Sequence, residues 1–288
     1  MKNITKIIVV ALIATFPLLN SSCDKDPLES YDVSLEEAKS VMLTEAMLNL
    51  SYIDVFNTAI RAGAFADEEL KKMAKMNNTA IEDILGGEMS ILTEDGQPNL
   101  PATIKIDWGA TNKKGDDGFN RRGMMIARLS NYWSEPSSTI TIEFKDYYFN
   151  DYKIEGETAF TYEGGNLYHL TIINGKVTSP EGKIAERNSD TYMNWAEGSD
   201  TKMDITDDVW ELYGVIGGKT TEELEYTMSI SADTPLSKAT SCKYPNSGIS
   251  NFTIKGIKFA LDYSFENSEC DNKATLDFYG LKKEIVFN

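Results

Sequence analysis

The stretch TITIEFK, residues 139–145, alternates without a break: Ile140, Ile142 and Phe144 fall on one side of an extended chain, and Thr139, Thr141, Glu143 and Lys145 on the other. Successive side chains of a strand point to opposite faces, so this is a strand with one covered and one wet face, as antiparallel sheets have. The pattern recurs in both directions. Upstream, Ile104, Ile106 and Trp108 alternate with Thr103, Lys105 and Asp107. Downstream, Tyr168, Leu170 and Ile172 lead to Asn174-Gly175, a dipeptide that favours a hairpin turn, and Leu224, Tyr226, Met228 and Ile230 alternate with Glu225, Thr227 and Ser229. In NFTIKGIKFALDY, residues 251–263, the inward set runs Phe252, Ile254 and then Ile257, Phe259, Leu261. That slip of parity at Gly256 predicts a bulge in one long strand.

Before the loop at Pro98 and Pro101 the period is 3.6. Ala38, Val41, Met42, Leu48, Tyr52, Val55, Phe56 and Ala59 recur at three- and four-residue steps, Ser34 and Glu37 form a capping box, and Gly63 is a natural stop. Asp67 then heads a shorter helix with Leu70, Met73 and Ala74 inward, and Thr79 with Glu82 caps a third that ends at Gly86-Gly87. The expectation is a mainly β chain with an N-terminal helical segment: a meander-like antiparallel sheet covered by one long and two short helices.

The N-terminus has the parts of an export signal: Lys2 and Lys6, an apolar run from Ile7 to Leu19, then Asn20, Ser21 and Ser22 before Cys23. The run is shorter than the ~20 residues a membrane-spanning helix needs. Leu19-Asn20-Ser21-Ser22-Cys23 resembles a bacterial lipobox, its leucine one place further from the cysteine than usual, and this implies lipidation of the Cys23 thiol and a membrane anchor made of acyl chains. The expected organisation is a signal peptide at 1–22, a tether at 23–33, a helical segment at 34–100 and an antiparallel β domain at 101–288.

Charge narrows the partners. The whole chain carries −17, and because residues 1–22 hold two lysines and no acid, the remainder stands at −19. Such a surface repels nucleic acid and anionic lipid.

The chemical inventory is sparse. His169 is the single histidine, placed by alternation on the solvated strand face with no partner to use it, so no Ser-His-Asp or Cys-His arrangement and no multi-histidine zinc site is expected. The Gly217-Gly218-Lys219 run lacks the spacing of a phosphate loop. Asp107, Asp116 and Asp117, echoed by Asp262 and Asp271, offer oxygen ligands, but their spacing is not that of an EF-hand and turn duty is the simpler reading. No catalytic residue, metal or cofactor is assigned.

The aromatics Tyr147, Tyr148, Phe149 and Tyr152 flank a hairpin at Asn150-Asp151, and Tyr192 and Trp195 lie in a polar stretch; either set fills a core or forms a binding surface. Cys242 and Cys270 remain after Cys23, and an oxidising compartment favours a bridge between them. A single strand over 249–263 would instead hold them beyond the ~7 Å limit between bridged Cα atoms, so a bridge requires a connection that brings the two loops together.

The hairpin KGDDGFNRRG, the turn YYFNDYKIEG and the pair SCKYPNSG and CDNKATLDFYG, with the acidic tether CDKDPLES, resemble a family of uncharacterised Bacteroidetes lipoproteins of the outer membrane and cell surface. The resemblance implies a lipid-anchored, surface-exposed location, with a periplasm-facing anchor as the alternative, and no activity. The functional expectation is a binding or structural module for a glycan or a protein partner; the alternative from another class is a carboxylate-based glycan hydrolase.

Overall fold

Ser34 and Glu37 begin the helix as a reciprocal cap: the Glu37 amide donates to Ser34 Oγ at 3.1 Å and the Ser34 amide to Glu37 Oε2 at 2.8 Å. The protein is described from a computed structural model, which covers residues 33–73, 81–93, 100–201, 206–263, 270–278 and 280–286. The expectations for residues 1–32, Cys23 included, and for Ala74 and Thr79 lie outside the described residues.

Among those residues there is one helix, α1 (Leu35–Met73), where one long and two short helices were expected. Gly63 does not end it. A Cβ at this position would stand 3.0 Å from both Ile140 Cδ1 and Trp133 Cγ, so glycine is there because the sheet presses close. Asp67 does not head a new helix either; its carboxylate accepts from the amides of Trp133 at 2.6 Å and Ser134 at 2.9 Å, tying a loop of the sheet to the helix. In place of the third helix stands a hairpin, β1 (Ile81–Ile84) and β2 (Gly87–Thr93), turned by Leu85 and Gly86, both at positive φ.

The sheet continues with β3 (Ala102–Lys114), β4 (Asn120–Leu129), β5 (Thr139–Phe149), β6 (Tyr152–Gly164), β7 (Leu167–Thr178), β8 (Ile184–Glu197), β9 (Val209–Lys219), β10 (Glu225–Ile230), β11 (Leu236–Ala239), β12 (Ile249–Ile254), β13 (Ile257–Asp262), β14 (Lys273–Phe278) and β15 (Leu281–Val286). These fifteen strands of the described residues form one antiparallel sheet in which each pairs with the next, except that β11 pairs only with β9 and β12 lies beside β10. The first and last strands do not pair, so the sheet is open.

Two turn expectations are corrected. Asn174-Gly175 does not end β7; it is an irregularity inside it, where Gly175 approaches Gly156 of β6 so closely that a side chain has no room. Lys255-Gly256 is a true two-residue turn, with φ of 50° and 79°, so the expected long strand is the hairpin β12–β13. Its return brings the two ends of that segment together. Cys242 and Cys270 are accordingly joined by a disulfide, with Cα atoms 5.1 Å apart. The expected Asn150-Asp151 turn is present, both residues at positive φ, between β5 and β6.

The helix is enclosed rather than laid on a surface. Val41, Leu48, Val55, Phe56 and Ala59 are buried as the sequence periodicity required, but so are Glu45, Asp54, Asn57, Thr58 and Arg61. Glu45 and Asp54 are nine residues apart, two and a half turns, and so face opposite ways. Each meets an arginine of the same sheet: Glu45 lies 3.6 Å from Arg187 of β8, and Asp54 pairs with Arg121 of β4. From Ser51 to Ala62 the helix has no exposed residue, so there it needs a wall on both sides, and the sheet supplies both by curling around it.

Phe56 sits between these walls at zero exposure, edge-on to Trp210, Phe160 and Tyr168 with ring centroids 4.9, 5.2 and 5.5 Å away. Phe56→Ala is expected to cost about 3–5 kcal/mol, the sum of lost transfer energy and a cavity, measured by denaturant unfolding; a loss under about 1 kcal/mol would refute the enclosure.

Lys238 shows the opposite balance. It lies on β11 beside Trp210, on the side of the strand that buries Leu236, and burial pushes its ammonium group down to about 8. The unfolded chain, with an ordinary lysine, binds the proton more tightly between pH 8 and about 10.4, so stability rises with pH across that window. Lys238→Met should remove this rise and raise the melting temperature at pH 7, as read from melts at pH 7, 8 and 9.5.

Candidate functional site

Alternation along β7 to β14 directs one set of side chains at the helix and leaves the other on the outer face, and that outer face is hollowed. A trough of about 1010 Å³ runs across β7, β8, β9, β10, β12, β13 and β14. Seven strands at ~4.8 Å spacing make it about 29 Å across, measured along the sheet. By contrast, the pocket beside the helix at Asn49, Tyr52 and Arg187 holds only about 20 Å³. The core beside Tyr52 is filled; an open concavity of about 830 Å³ lies between the helix start and the β9–β10 connection, lined by Ser40, Leu43, Glu222 and Val286, and the outer trough is the one that crosses seven strands.

The register arranges its floor in rows. Val215 pairs with Asp190 on one side and Ser229 on the other, and Ser229 with Asn251. In the next row Gly217 pairs with Asn188 and Thr227, and Thr227 with Thr253. Short hydroxyl and amide side chains thus alternate with the exposed apolar Val215 and Ile173. Lys258 and Asp277 complete the far side.

Two adjacent glycines of β9 do different work. Around Gly217 nothing lies within 4 Å of where a Cβ would be, so its missing side chain is trough space. Gly218 points inward, and there the Tyr226 ring of the neighbouring strand takes the room of a side chain. That ring reaches on to the helix, its hydroxyl donating to Glu45 Oε1. Burial, and then the Glu45 charge, push the Tyr226 phenol well above its ordinary range. One face of β9 therefore opens the trough while the other holds the helix.

Along one side of the trough stands a ladder of rings. His169, Tyr192 and Tyr213 are direct cross-strand neighbours on β7, β8 and β9, stacked at 4.6 and 5.3 Å with planes within 16° and 12° of parallel. Because the stacking direction runs from strand to strand, the rings stand on edge. Both faces of Tyr192 are covered by its neighbours, while no ring among the described residues covers the second face of Tyr213, which lies where β9 passes from β11 to β10. His169 is on the outer face as alternation predicted, but it has a partner: Nε2 is 2.6 Å from Asp190 Oδ1.

The other expected aromatics divide. Tyr147, Phe149 and Trp195 are buried, Trp195 stacked on Trp210 and donating to Asp208 at 2.8 Å. Tyr152 packs against the core, and Tyr148 lies under the Arg122 guanidinium at 3.7 Å. The acids considered for calcium serve other groups. Asp117 grips Arg121 at 2.5 and 3.0 Å, Asp116 is 3.9 Å from Arg61, and Asp107 accepts from the Gly109 amide at 2.9 Å. No group of three or more metal-ligating side chains forms among the described residues.

Against known proteins, the chain matches no protein-family model, no curated protein and no solved structure.

If the floor at Gly217 is free space, Gly217→Trp should fold with stability within about 0.5 kcal/mol of the parent, as for surface changes away from special features. Gly218→Val should cost more than about 1 kcal/mol by colliding with the Tyr226 ring. Thermal melts of the two variants side by side check this; equal losses would mean that the trough floor is part of the packing.

Proposed function

We propose that this chain is a lipid-anchored envelope protein of the outer membrane, displayed at the cell surface, whose β body is a binding module with its ligand seated in the outer trough. The observation that carries the binding half is the outer face hollowed across seven strands into a trough of about 1010 Å³ floored by short polar and exposed apolar side chains. Monomeric proteins rarely leave large amphipathic concavities without a use. The anchoring half rests on the lipobox-like Leu19-Asn20-Ser21-Ser22-Cys23 and the likeness to Bacteroidetes surface lipoproteins. No helix among the described residues is long and apolar enough to cross a membrane.

The hydrolase reading has less support. A glycosidase sets two carboxylates about 5 to 9.5 Å apart and buries one to keep it protonated. Asp190 and Asp277 in the trough are five strand spacings apart along the sheet, about 24 Å. Glu186 and Glu225 on the rim are closer, two strands apart, but Lys219 of β9 stands between them and neither is buried.

Cys23→Ala tests the anchor. Mass spectrometry should show loss of the acyl mass, and fractionation should move the protein out of the membrane pellet. Protease added to intact cells expressing the parent protein should remove it if the anchor faces outward; protection until lysis would instead favour a periplasm-facing anchor. A Cys23→Ala protein still held in the membrane would overturn lipid anchoring.

A further inference from the structure

The shape and chemistry of the trough narrow the class of ligand, given the reading of this face as a binding site. Acids and bases along it and its rim nearly balance: Asp190, Asp277, Glu186 and Glu225 against Lys258, Lys219 and Lys255. On a chain of net charge −17 this face offers no positive field, so a polyanion is repelled by the body and gains no compensating attraction at the site. A protein partner would be held by large aromatic or arginine anchors filling deep pockets; the trough floor has neither. What it has is a dense array of short donors and acceptors with methyl groups between them.

That array suits a chain whose units each present hydroxyls at the edge and C–H groups on the face. We propose that the trough binds a neutral glycan laid across the strands, its hydroxyls hydrogen-bonded by Asn188, Asp190, Thr227 and Asn251 and its apolar faces set on Val215 and on the half-buried Tyr213, two residues from Val215 on the same face of β9. Strand spacing is close to the length of one pyranose unit in an extended chain, so successive sugars meet successive strands in the same relation. Gly217 marks where a sugar comes nearest the backbone. The His169–Asp190 contact then has a positioning role, since it holds one carboxylate oxygen of Asp190 against the ring ladder.

The test is titration calorimetry of the full chain in detergent with soluble neutral polymers (a glucan, a mannan, a galactan and a xylan) and with a polyuronate as the anionic control. At least one neutral polymer should bind, the polyuronate should not, and Gly217→Trp, with an unchanged melt, and Tyr213→Ala, titrated at a temperature where its melt shows it folded, should each weaken binding by tenfold or more. Val215→Glu serves as the blocking variant if Gly217→Trp fails to fold. Absence of binding to every neutral polymer, or tighter binding of the polyuronate, would overturn the glycan assignment. Undiminished binding in folded blocking variants would overturn the location. A parallel arm with envelope proteins stripped of polysaccharide separates the two levels of the argument. If the parent binds a stripped protein and Gly217→Trp does not, the ligand class is wrong while the trough remains a binding site; if no variant differs in either arm, both readings fall.

Discussion

The fold depends on putting a helix with charged residues on both sides inside a sheet. Burying one carboxylate without a partner costs several kcal/mol, and α1 buries Glu45 and Asp54 on opposite faces. Each charge must therefore find a cation or donor on its own side. Arg121 answers Asp54, with Asp117 closing the other side of the guanidinium and the Tyr147 hydroxyl donating to Asp54 at 2.7 Å. Burial is the largest single effect on the Arg121 pKa and lowers it, but the charge of Asp54, the hydrogen bonds to Asp117 and Asp54 and the neighbouring Tyr147 together outweigh it and hold the guanidinium above its ordinary value. On the other side the Tyr226 hydroxyl donates to Glu45, and Arg187, 3.6 Å from the Glu45 carboxylate, donates to Asn49 one helical turn along at 2.7 Å. These contacts fix how far the sheet must curl, because β4 and β8 have to reach opposite sides of one helix. Apolar packing alone would allow the helix to turn or slide; four directional contacts at two places along it do not.

The rim follows from this. Glu37 at the first turn of α1 is held by Lys255 of the β12–β13 turn at 2.9 Å, and Ser40 donates to Glu222 of the β9–β10 connection at 2.7 Å. The Lys255 contact, with the Ser34 amide next, holds the Glu37 carboxyl below its ordinary value. Both turns border the part of the sheet that carries the trough. The strands that must stay near the helix start are thus those whose outer face is hollowed, and Gly218, by admitting the Tyr226 ring, lets β9 and β10 lie close to the helix at that place. Enclosure on one face and concavity on the other share the same residues.

How much of this is legible in the sequence follows from the range over which each signal acts. The alternation in residues 139–145, the Ser34–Glu37 cap and the Asn150-Asp151 turn are decided by neighbours in sequence, and all three stand in the structure. Gly63 and Asn174-Gly175 mislead because glycine marks either a turn or a close approach, and only tertiary packing distinguishes them. Lys255-Gly256 fits a bulge or a turn, since both shift parity by one, and the bulge places the two cysteines far apart. The hairpin β1–β2 is hidden by Thr79 and Glu82, whose spacing fits a helix cap. The trough is beyond local reading altogether. Its floor is drawn from residues between Thr171 and Asp277, each an unremarkable outward-facing position until strand order sets them side by side.

His169 is undervalued by its sequence context for the same reason. Its exposed strand position predicts solvent as its main neighbour, and nothing within a few residues supplies a carboxylate. Asp190 reaches it because β7 and β8 pair with Thr171 opposite Asp190, which sets the carboxylate one diagonal step from His169 on the same face. Diagonal neighbours lie within reach of long or aromatic side chains. On a sheet, then, the chemistry of the outer face is set by register, and register here is set from within, by the contacts of β4, β8 and β10 with the helix. A change at Glu45 or Arg187 would reach the trough without touching it, because the inward and outward side chains of β8 alternate along one backbone.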